Sequence, residues 1–389
     1  MNIKQIIFTC LLIPTLIGAC TYSPASQGNS TPLIAASTEL SSVPVLAKNQ
    51  EPAPKEAIAT QPVITQTQPV IPPANASTPT ETVVVPDSTI LNPLTGLPVN
   101  DPSLLSFAPA LVSVSNFPIS VRPQSGLSFA PHVYEMTIGE GMTRFLAVYY
   151  GNYGSVETEN VNLGAIRSGR LPYEQIRNMY DGFIIMAGAA PEVTTVLAAT
   201  HFREKVNFST IKDLAEDRMN RKGAPEFGKL TFDLQSPEGG VQGDLLNITW
   251  SYLNRVRWTY DPNSGKYLRE QDKSDGSGKL YPALEKLTGE QLAFDNVVVL
   301  AAEHEWQTPT RIEMNLLYVI KEPAVFFRDG KAYPVFWTSL SPLGPIRFMN
   351  SDGSPFAYKP GNTWYEVIES IQEIEQIDDE SWSVRFINP

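Results

Sequence analysis

The sequence predicts an α/β amino-terminal half, a mixed sheet carrying strand-loop-helix units, followed by a β-rich α+β carboxyl-terminal half. Three observations predict it. Between residues 161 and 199, apolar runs alternate with loops and with helical patterns opened by Pro172 and Pro191. After about residue 245 the chain changes to short aromatic and β-branched runs separated by Asp, Asn and Gly turn signals. Ahead of both lies a stretch without a periodic apolar pattern, so the folded part begins near residue 91.

The chain opens with Lys4, an apolar run from Ile6 to Ile17, and small residues Gly18 and Ala19 before Cys20. This is the pattern of a secretory signal, too short to cross a bilayer as a helix. Ile17-Gly-Ala-Cys20 also resembles the bacterial lipobox, with Ile in place of the usual Leu, which marks Cys20 for lipidation and residues 1–20 as the signal peptide. The chain has two cysteines, and Cys10 lies inside the segment removed, so no pair remains for a disulfide and stability rests on the core. Residues 21–90 hold 11 of the 33 prolines with much Ser, Thr, Ala and Gln. Such a composition cannot bury enough apolar surface to offset its ordering entropy, and it reads as a disordered tether reaching roughly 45–50 Å. The net charge is −12. Without a basic face, binding to nucleic acid is excluded, and the same charge repels anionic lipid, leaving the acyl chain on Cys20 to make the contact with the bilayer. The expected location is the outer face of the cell membrane, on the extracellular or periplasmic side.

In the α/β segment, residues 91–245, Pro109–Ser115 reads as a buried strand, and Val133–Ile138 and Arg144–Tyr150 as two more joined at Gly139-Glu-Gly141. Period 2 puts Arg144, Leu146, Val148 and Tyr150 on one face. Val161–Ile166 reads as the next strand, Tyr173–Tyr180 as a helix, Asp181–Ala187 as a strand and Pro191–Ala199 as a helix. That order implies parallel strands with both loops at the carboxyl edge of the sheet, where open α/β sheets bind ligands. In the β-rich segment, residues 246–389, strands are expected at Val256–Asp261, Lys266–Arg269, Asn296–Leu300, Ala324–Arg328, Lys331–Trp337 and Trp364–Ile368, in antiparallel arrangement.

Between Asn92 and Thr200 the basic residues are Arg122, Arg144, Arg167, Arg170 and Arg177, with no lysine. A guanidinium offers a planar fork of donors to carboxylate or phosphate and keeps its charge when half buried. Arg122, Arg144, Arg167 and Arg170 sit among Gly, Ser and Thr, and with Ser168 they form a candidate anion site. An arginine entering a core strand is often held by a buried carboxylate, and Glu135 and Glu140 are the candidate supporting acids for Arg144. Glu303-His304-Glu305 alternates along an extended segment, which sends His304 to the face opposite both acids, so no metal site is expected. Ser168 has no sign of a histidine base, no phosphate-gripping glycine signature occurs, and no cofactor is expected.

Asn92-Pro-Leu-Thr-Gly-Leu97, Arg122-Pro-Gln-Ser-Gly-Leu127, Val133-Tyr-Glu135, Gly141-Met-Thr-Arg-Phe-Leu146 and Ile166-Arg-Ser168, with Trp258-Thr-Tyr-Asp261, Asn296-Val-Val298, Asp329-Gly-Lys331, Trp337 and Pro360-Gly-Asn-Thr-Trp364, resemble the YerB-like family of bacterial lipoproteins. The resemblance covers nearly the whole folded part and implies an anchored envelope protein with two family-defined halves and no established activity. The chain departs from the family pattern at His132, where members tend to carry an acid, at Pro225-Glu-Phe227 in place of a motif ending Pro-His-Asn, and at Gly188-Ala-Ala-Pro191 in place of Gly-Gly-Ser-Pro. If the family's chemistry needs the histidine of that Pro-His-Asn motif, this protein binds without reacting.

The leading expectation is a non-enzymatic binding or accessory lipoprotein of the cell envelope, recognising an anionic glycan or phosphate ligand, or a cell-wall protein, through the arginine loops. The alternative is a phosphotransferase acting on a polyprenyl pyrophosphate-linked glycan, by analogy of architecture with the LytR-CpsA-Psr class of wall ligases and without a shared motif. A solute receptor of transport needs two similar α/β lobes, which the second half does not resemble.

Overall fold

The computed structural model describes residues 90–155 and 157–386; the signal segment, Cys20 and the tether up to residue 89 lie outside them. The uncharged run after Pro109 forms β1 (Ala110–Ser115), buried throughout. The next two apolar runs form a hairpin, β2 (His132–Gly139) and β3 (Met142–Tyr149), whose register sets Met136 opposite Arg144 and Glu135 opposite Phe145. Then come α1 (Pro172–Met179), β4 (Phe183–Met186), α2 (Pro191–Thr194), β5 (Thr200–Phe202) and α3 (Phe208–Lys222). As the strand-loop-helix order requires, β1, β4 and β5 are mutually parallel neighbours.

Three expectations for this half are corrected. Residues 161–166 form no strand: Gly164 sits at φ 97°, and the β-bridges there are isolated ones, from Gly164 to Ser125 and from Ile166 to Val114. The second helix stops at Thr194, because the β-branched Val193-Thr-Thr-Val196 crowds a helical turn and the Thr194 and Thr195 hydroxyls bond the Ala190 and Glu192 carbonyls. Helix α3 had no counterpart among the expected elements, although its signals are local. Asn207 caps it by accepting from Thr210 N, its buried residues Phe208, Ile211 and Ala215 follow helical spacing, and Gly223 ends it.

The second half supplies β6 (Val241–Gln242), β7 (Leu245–Ser251), β8 (Asn254–Asp261), β9 (Lys266–Asp272), β10 (Leu280–Pro282), β11 (Ala293–Phe294), β12 (Asn296–Ala301), β13 (His304–Thr308), β14 (Arg311–Met314), β15 (Val319–Arg328) and β16 (Lys331–Ser339). It ends with β17 (Arg347–Met349), β18 (Pro355–Phe356), β19 (Thr363–Ile368), β20 (Ile374–Gln376) and β21 (Ser381–Arg385). Asp261–Gly265 closes the β8–β9 hairpin and Asp329-Gly330 the β15–β16 hairpin, as their turn signals require. The region is not wholly antiparallel. Strand β19 pairs in parallel with β12 on one side and β2 on the other, and β21 pairs in parallel with β7.

One twelve-stranded sheet therefore runs β18-β17-β16-β15-β12-β19-β2-β3-β1-β4-β5, with β6 on β16, and passes from one half of the chain to the other at the β19–β2 seam. A seven-stranded sheet, β10-β9-β8-β7-β21-β20 with β11 on β9, contributes Trp250, Trp258 and Tyr267 to a core shared with Val112, Phe145, Phe327 and Trp364 of the large sheet and with α3. The opposite face of the large sheet, including Tyr134, Leu146, Ile184 and Tyr365, packs with Tyr173, Ile176 and Met179 of α1 and with Ile312 and Met314 of the β13–β14 hairpin.

Candidate functional site

Strands β1 and β4 pair only from Ala110/Phe183 to Val112/Ile185. Beyond that they diverge, and the segment from Ile166 enters the fork. Arg167 N donates to Ser113 O (2.9 Å) and Ala187 N donates to Arg167 O (3.1 Å), so the segment bonds both strands' carboxyl ends. Arg167-Ser-Gly-Arg170 thus occupies the carboxyl edge of the sheet, immediately before α1. The expected position holds, although the segment leading into it is not a strand.

Arg144 arrives from β3. Opposite Ser115 in the register, it projects on the same face as Ser113 and Ser115. Its Nη1 donates to Ser168 O (2.8 Å), Ser113 Oγ donates to the same carbonyl (3.1 Å), and Arg167 Nε donates to Ser115 Oγ (3.4 Å). Arg170 donates from Nη1 to Gly169 O (3.1 Å). The Nε atoms of Arg144 and Arg170 are buried without a hydrogen-bond partner. Burial pulls Arg144 down to about 10; the nearby Tyr173 opposes this, and the charges of Arg170 and Arg167 add to it. Among the described residues none of these three arginines has an acid within ion-pair distance. Ser168 and Arg170 line a cavity of about 330 Å³ whose far wall is Thr308, Thr310 and Arg311, with Glu192 paired to Arg311 at 3.4 Å.

Two other arginines do different work. Arg177 is clamped by Glu174 (2.6 Å) and Asn178 within α1. Arg122 donates from Nε to both oxygens of Asn116 and from Nη1 to Asp272 O (2.7 Å), with its guanidinium 4.8 Å from the Phe117 ring centre. It ties the first half to β9 and does not line the cavity of Ser168 and Arg170.

The candidate supporting acids do not meet the arginines. Arg144 opposes Met136, so Glu135 points to the other face of β2, where Arg269 Nη2 donates to its Oε2 (2.8 Å) and Thr143 Oγ1 to its Oε1 (2.6 Å). Glu140 is exposed at the β2–β3 turn. Arg144 is held by a backbone carbonyl in place of a carboxylate.

Arg269 and Glu366 had no assigned role in the sequence reading, yet they complete a cluster sealed between the sheets. Arg269 is 1% exposed, lies 4.9 Å from the Trp364 ring centre and also faces Phe145 and Trp258. Trp258 Nε1 donates to Glu366 Oε1 (2.8 Å). Burial, with the charge of Glu135 beside it, holds the Glu366 carboxyl well above the ordinary carboxylate range. A legible signal exists: Glu135 and Glu366 are lone charges inside otherwise apolar strand runs. His132, the family departure, is buried and bonds Leu94 O through Nε2 (3.0 Å) and Tyr180 Oη through Nδ1 (2.6 Å). A carbonyl only accepts, so Nε2 carries the proton and Nδ1 accepts from Tyr180, which in turn accepts from Tyr134 (2.7 Å). Desolvation lowers this imidazole to about 3, making it a neutral core residue.

Residues 94–230 match the profile described as "Protein of unknown function (DUF3048) N-terminal domain", and residues 246–365 match that of the DUF3048 C-terminal domain. The chain belongs to this DUF3048, YerB-like family. YerB of Bacillus subtilis (strain 168), whose name classes it provisionally as a lipoprotein, is 24% identical over 308 residues, spanning 72% of this chain and 86% of YerB. The crystal structure of Bacillus subtilis YerB shares the fold, with a TM-score of 0.59 at 22% identity over 73% of this chain and 98% of that one. In this DUF3048 chain the arginine fork lies wholly within the first matched segment, while the Glu135–Arg269 pair joins the first segment to the second. No helix among the described residues is long and apolar enough to cross a membrane.

Proposed function

We propose that this protein is an exported lipoprotein, anchored through acylated Cys20, that binds a phosphate-bearing envelope ligand through Arg144, Arg167, Ser168 and Arg170 as an accessory protein without catalysis of its own. The observation that carries this reading is the gathering of three guanidiniums at the carboxyl edge of β1 and β4 with no acid paired to them among the described residues. In a chain of net charge −12, three arginines that make no ion pair among the described residues, beside a Glu192 already engaged by Arg311, favour an anion from outside. The acids that a metal-assisted transfer would draw on, Glu135 and Glu140, lie away from the fork, which favours binding over phosphotransfer.

Calorimetric titration of inorganic phosphate, pyrophosphate and an undecaprenyl phosphate analogue tests the site. Each charge-assisted hydrogen bond is worth about 1.5–3 kcal/mol, so Arg167→Ala should weaken binding roughly tenfold to a hundredfold, and Arg167→Lys should not restore a bidentate contact. Wild type that binds none of the three, or Arg167→Ala that binds as wild type does, removes the anion reading. For the anchor, Cys20→Ala should leave the membrane fraction; retention there after a high-salt wash would contradict it.

A further inference from the structure

A groove of about 1050 Å³ opens beside the arginine fork, beyond the carboxyl end of β1. Its walls are the residues after β1, the β2–β3 turn, the β7–β8 turn and the tip of the β13–β14 hairpin. Contacts among neighbouring parts fix these walls. Ser251 Oγ donates to Gly141 O (3.1 Å), Trp306 Nε1 donates to Glu369 Oε2 (3.3 Å), and the Pro309 carbonyl lies against Gly139. Phe117, Ile119, Met142, Tyr252, Leu253 and Trp306 make the lining mostly apolar, and Glu140 is its single charged member among the described residues. Ile119 is 43% exposed and Tyr252 is 69% exposed, so this apolar surface is within reach of a ligand.

Three links join the groove to the fork. Thr308 lines both the groove and the cavity of Ser168 and Arg170. Met142 and Arg144 project on one face of β3, about 7 Å apart along the strand. Ser115 Oγ accepts from Arg167 and donates to the Phe117 carbonyl. A step of that size is covered by a few covalent bonds, so one molecule can occupy both places. Charge sets its direction. Glu140 repels an anion from the groove while the guanidiniums attract it to the fork, which leaves an uncharged part of the ligand for the groove. That part has to be apolar. A polar chain would lose its water against Phe117, Met142 and Trp306 with little hydrogen bonding in return, and a peptide brings an N–H and a C=O at nearly every residue. A hydrocarbon gains by leaving water and needs no partner.

We infer, resting on the anion reading of the arginine fork, that the ligand is an amphiphile: the phosphate ester of a hydrocarbon chain, with its phosphate at Arg144, Arg167 and Arg170 and its chain along the groove. The proposed acyl anchor holds the protein at the bilayer in which such amphiphiles collect. Calorimetry on the mature chain carrying Cys20→Ala, which needs no detergent, tests this with inorganic phosphate, butyl, hexyl and octyl phosphate, and 1-octanol. Each methylene buried is worth roughly a threefold to fourfold gain in affinity, so octyl phosphate should bind at least about tenfold more tightly than butyl phosphate. Ile119→Ser and Tyr252→Ser, both at exposed positions, should flatten that chain-length dependence and leave inorganic phosphate binding unchanged. Arg167→Ala should weaken every phosphate ligand alike. If phosphate binds through Arg167 and octyl phosphate binds no more tightly than butyl phosphate, the groove holds no chain and only the anion reading survives. Octanol binding as tightly as octyl phosphate, or both groove variants keeping the full chain-length dependence, overturns the joint site. If no phosphate ligand binds, or Arg167→Ala binds them all as wild type does, the anion reading fails and this inference with it. A wild-type dimer in light scattering that Tyr252→Ser converts to a monomer would give the groove to a second copy, and that too overturns the inference.

Discussion

Glu366 and His132 pull stability in opposite directions with pH. Below the ordinary carboxyl value of 4.5 Glu366 is protonated in folded and unfolded chains alike; above it the unfolded chain releases the proton while the fold, where burial and Glu135 raise the value, keeps it. The unfolded state then binds fewer protons, so this contribution is full below 4.5 and is lost as pH rises toward the raised folded value. Urea denaturation at pH 5 and pH 8 should show Glu366→Gln gaining on wild type at the higher pH; a constant difference would mean that Glu366 is ionised in the fold. For His132 the unfolded imidazole takes a proton below 6.5 while the folded one waits until about 3, so stability is lost as pH falls through that window. Deleting Arg269 would strand the Glu135 carboxylate in the core, a defect of about 3–5 kcal/mol.

At the scale of elements, the β13–β14 hairpin is joined to neither large sheet and forms the far wall of the arginine cavity. It lies against the end of β2, where Gly139 at φ 88° leaves no room for a side chain: a Cβ there would overlap the Pro309 carbonyl oxygen. Gly139→Ala should therefore push the hairpin tip outward and cost at least about 1 kcal/mol, from left-handed backbone strain plus the clash. Hydrogen exchange of the 304–314 amides should quicken while the β1–β4 amides remain protected; uniform loss of protection would place the damage elsewhere. Helix α3 shows what a reading of apolar runs misses. Its polar composition hides it from a search for buried stretches, while Asn207 and Gly223 mark both of its ends.

The whole molecule is organised around β19, which sits between β12 of its own half and β2 of the other. Separating the chain at residues 245/246 would expose the edges of β2 and β19, strip the Trp258–Trp364–Phe145 core and unpair Glu135 from Arg269. Residues 90–245 expressed alone should therefore lack the dispersed amide spectrum of a folded domain, and co-expression with residues 246–389 should restore it. A dispersed spectrum from the first piece alone would show that the seam is dispensable.

Sequence alone determined those features that depend on local composition. Apolar runs, turn residues and Pro-opened helices placed β1 to β4, α1 and the principal strands of the second half, and the Arg/Gly/Ser pattern singled out the loop at 167–170. Pairing is not local. That β19 runs parallel to β2, that Arg122 ties β9 and leaves the cavity, and that Glu135 meets Arg269 134 residues away were decided by tertiary structure. Arg144 and Glu135 show why. Period 2 on each strand is visible in the sequence, but only the hairpin register, with Met136 opposite Arg144, tells that the arginine and the acid occupy opposite faces.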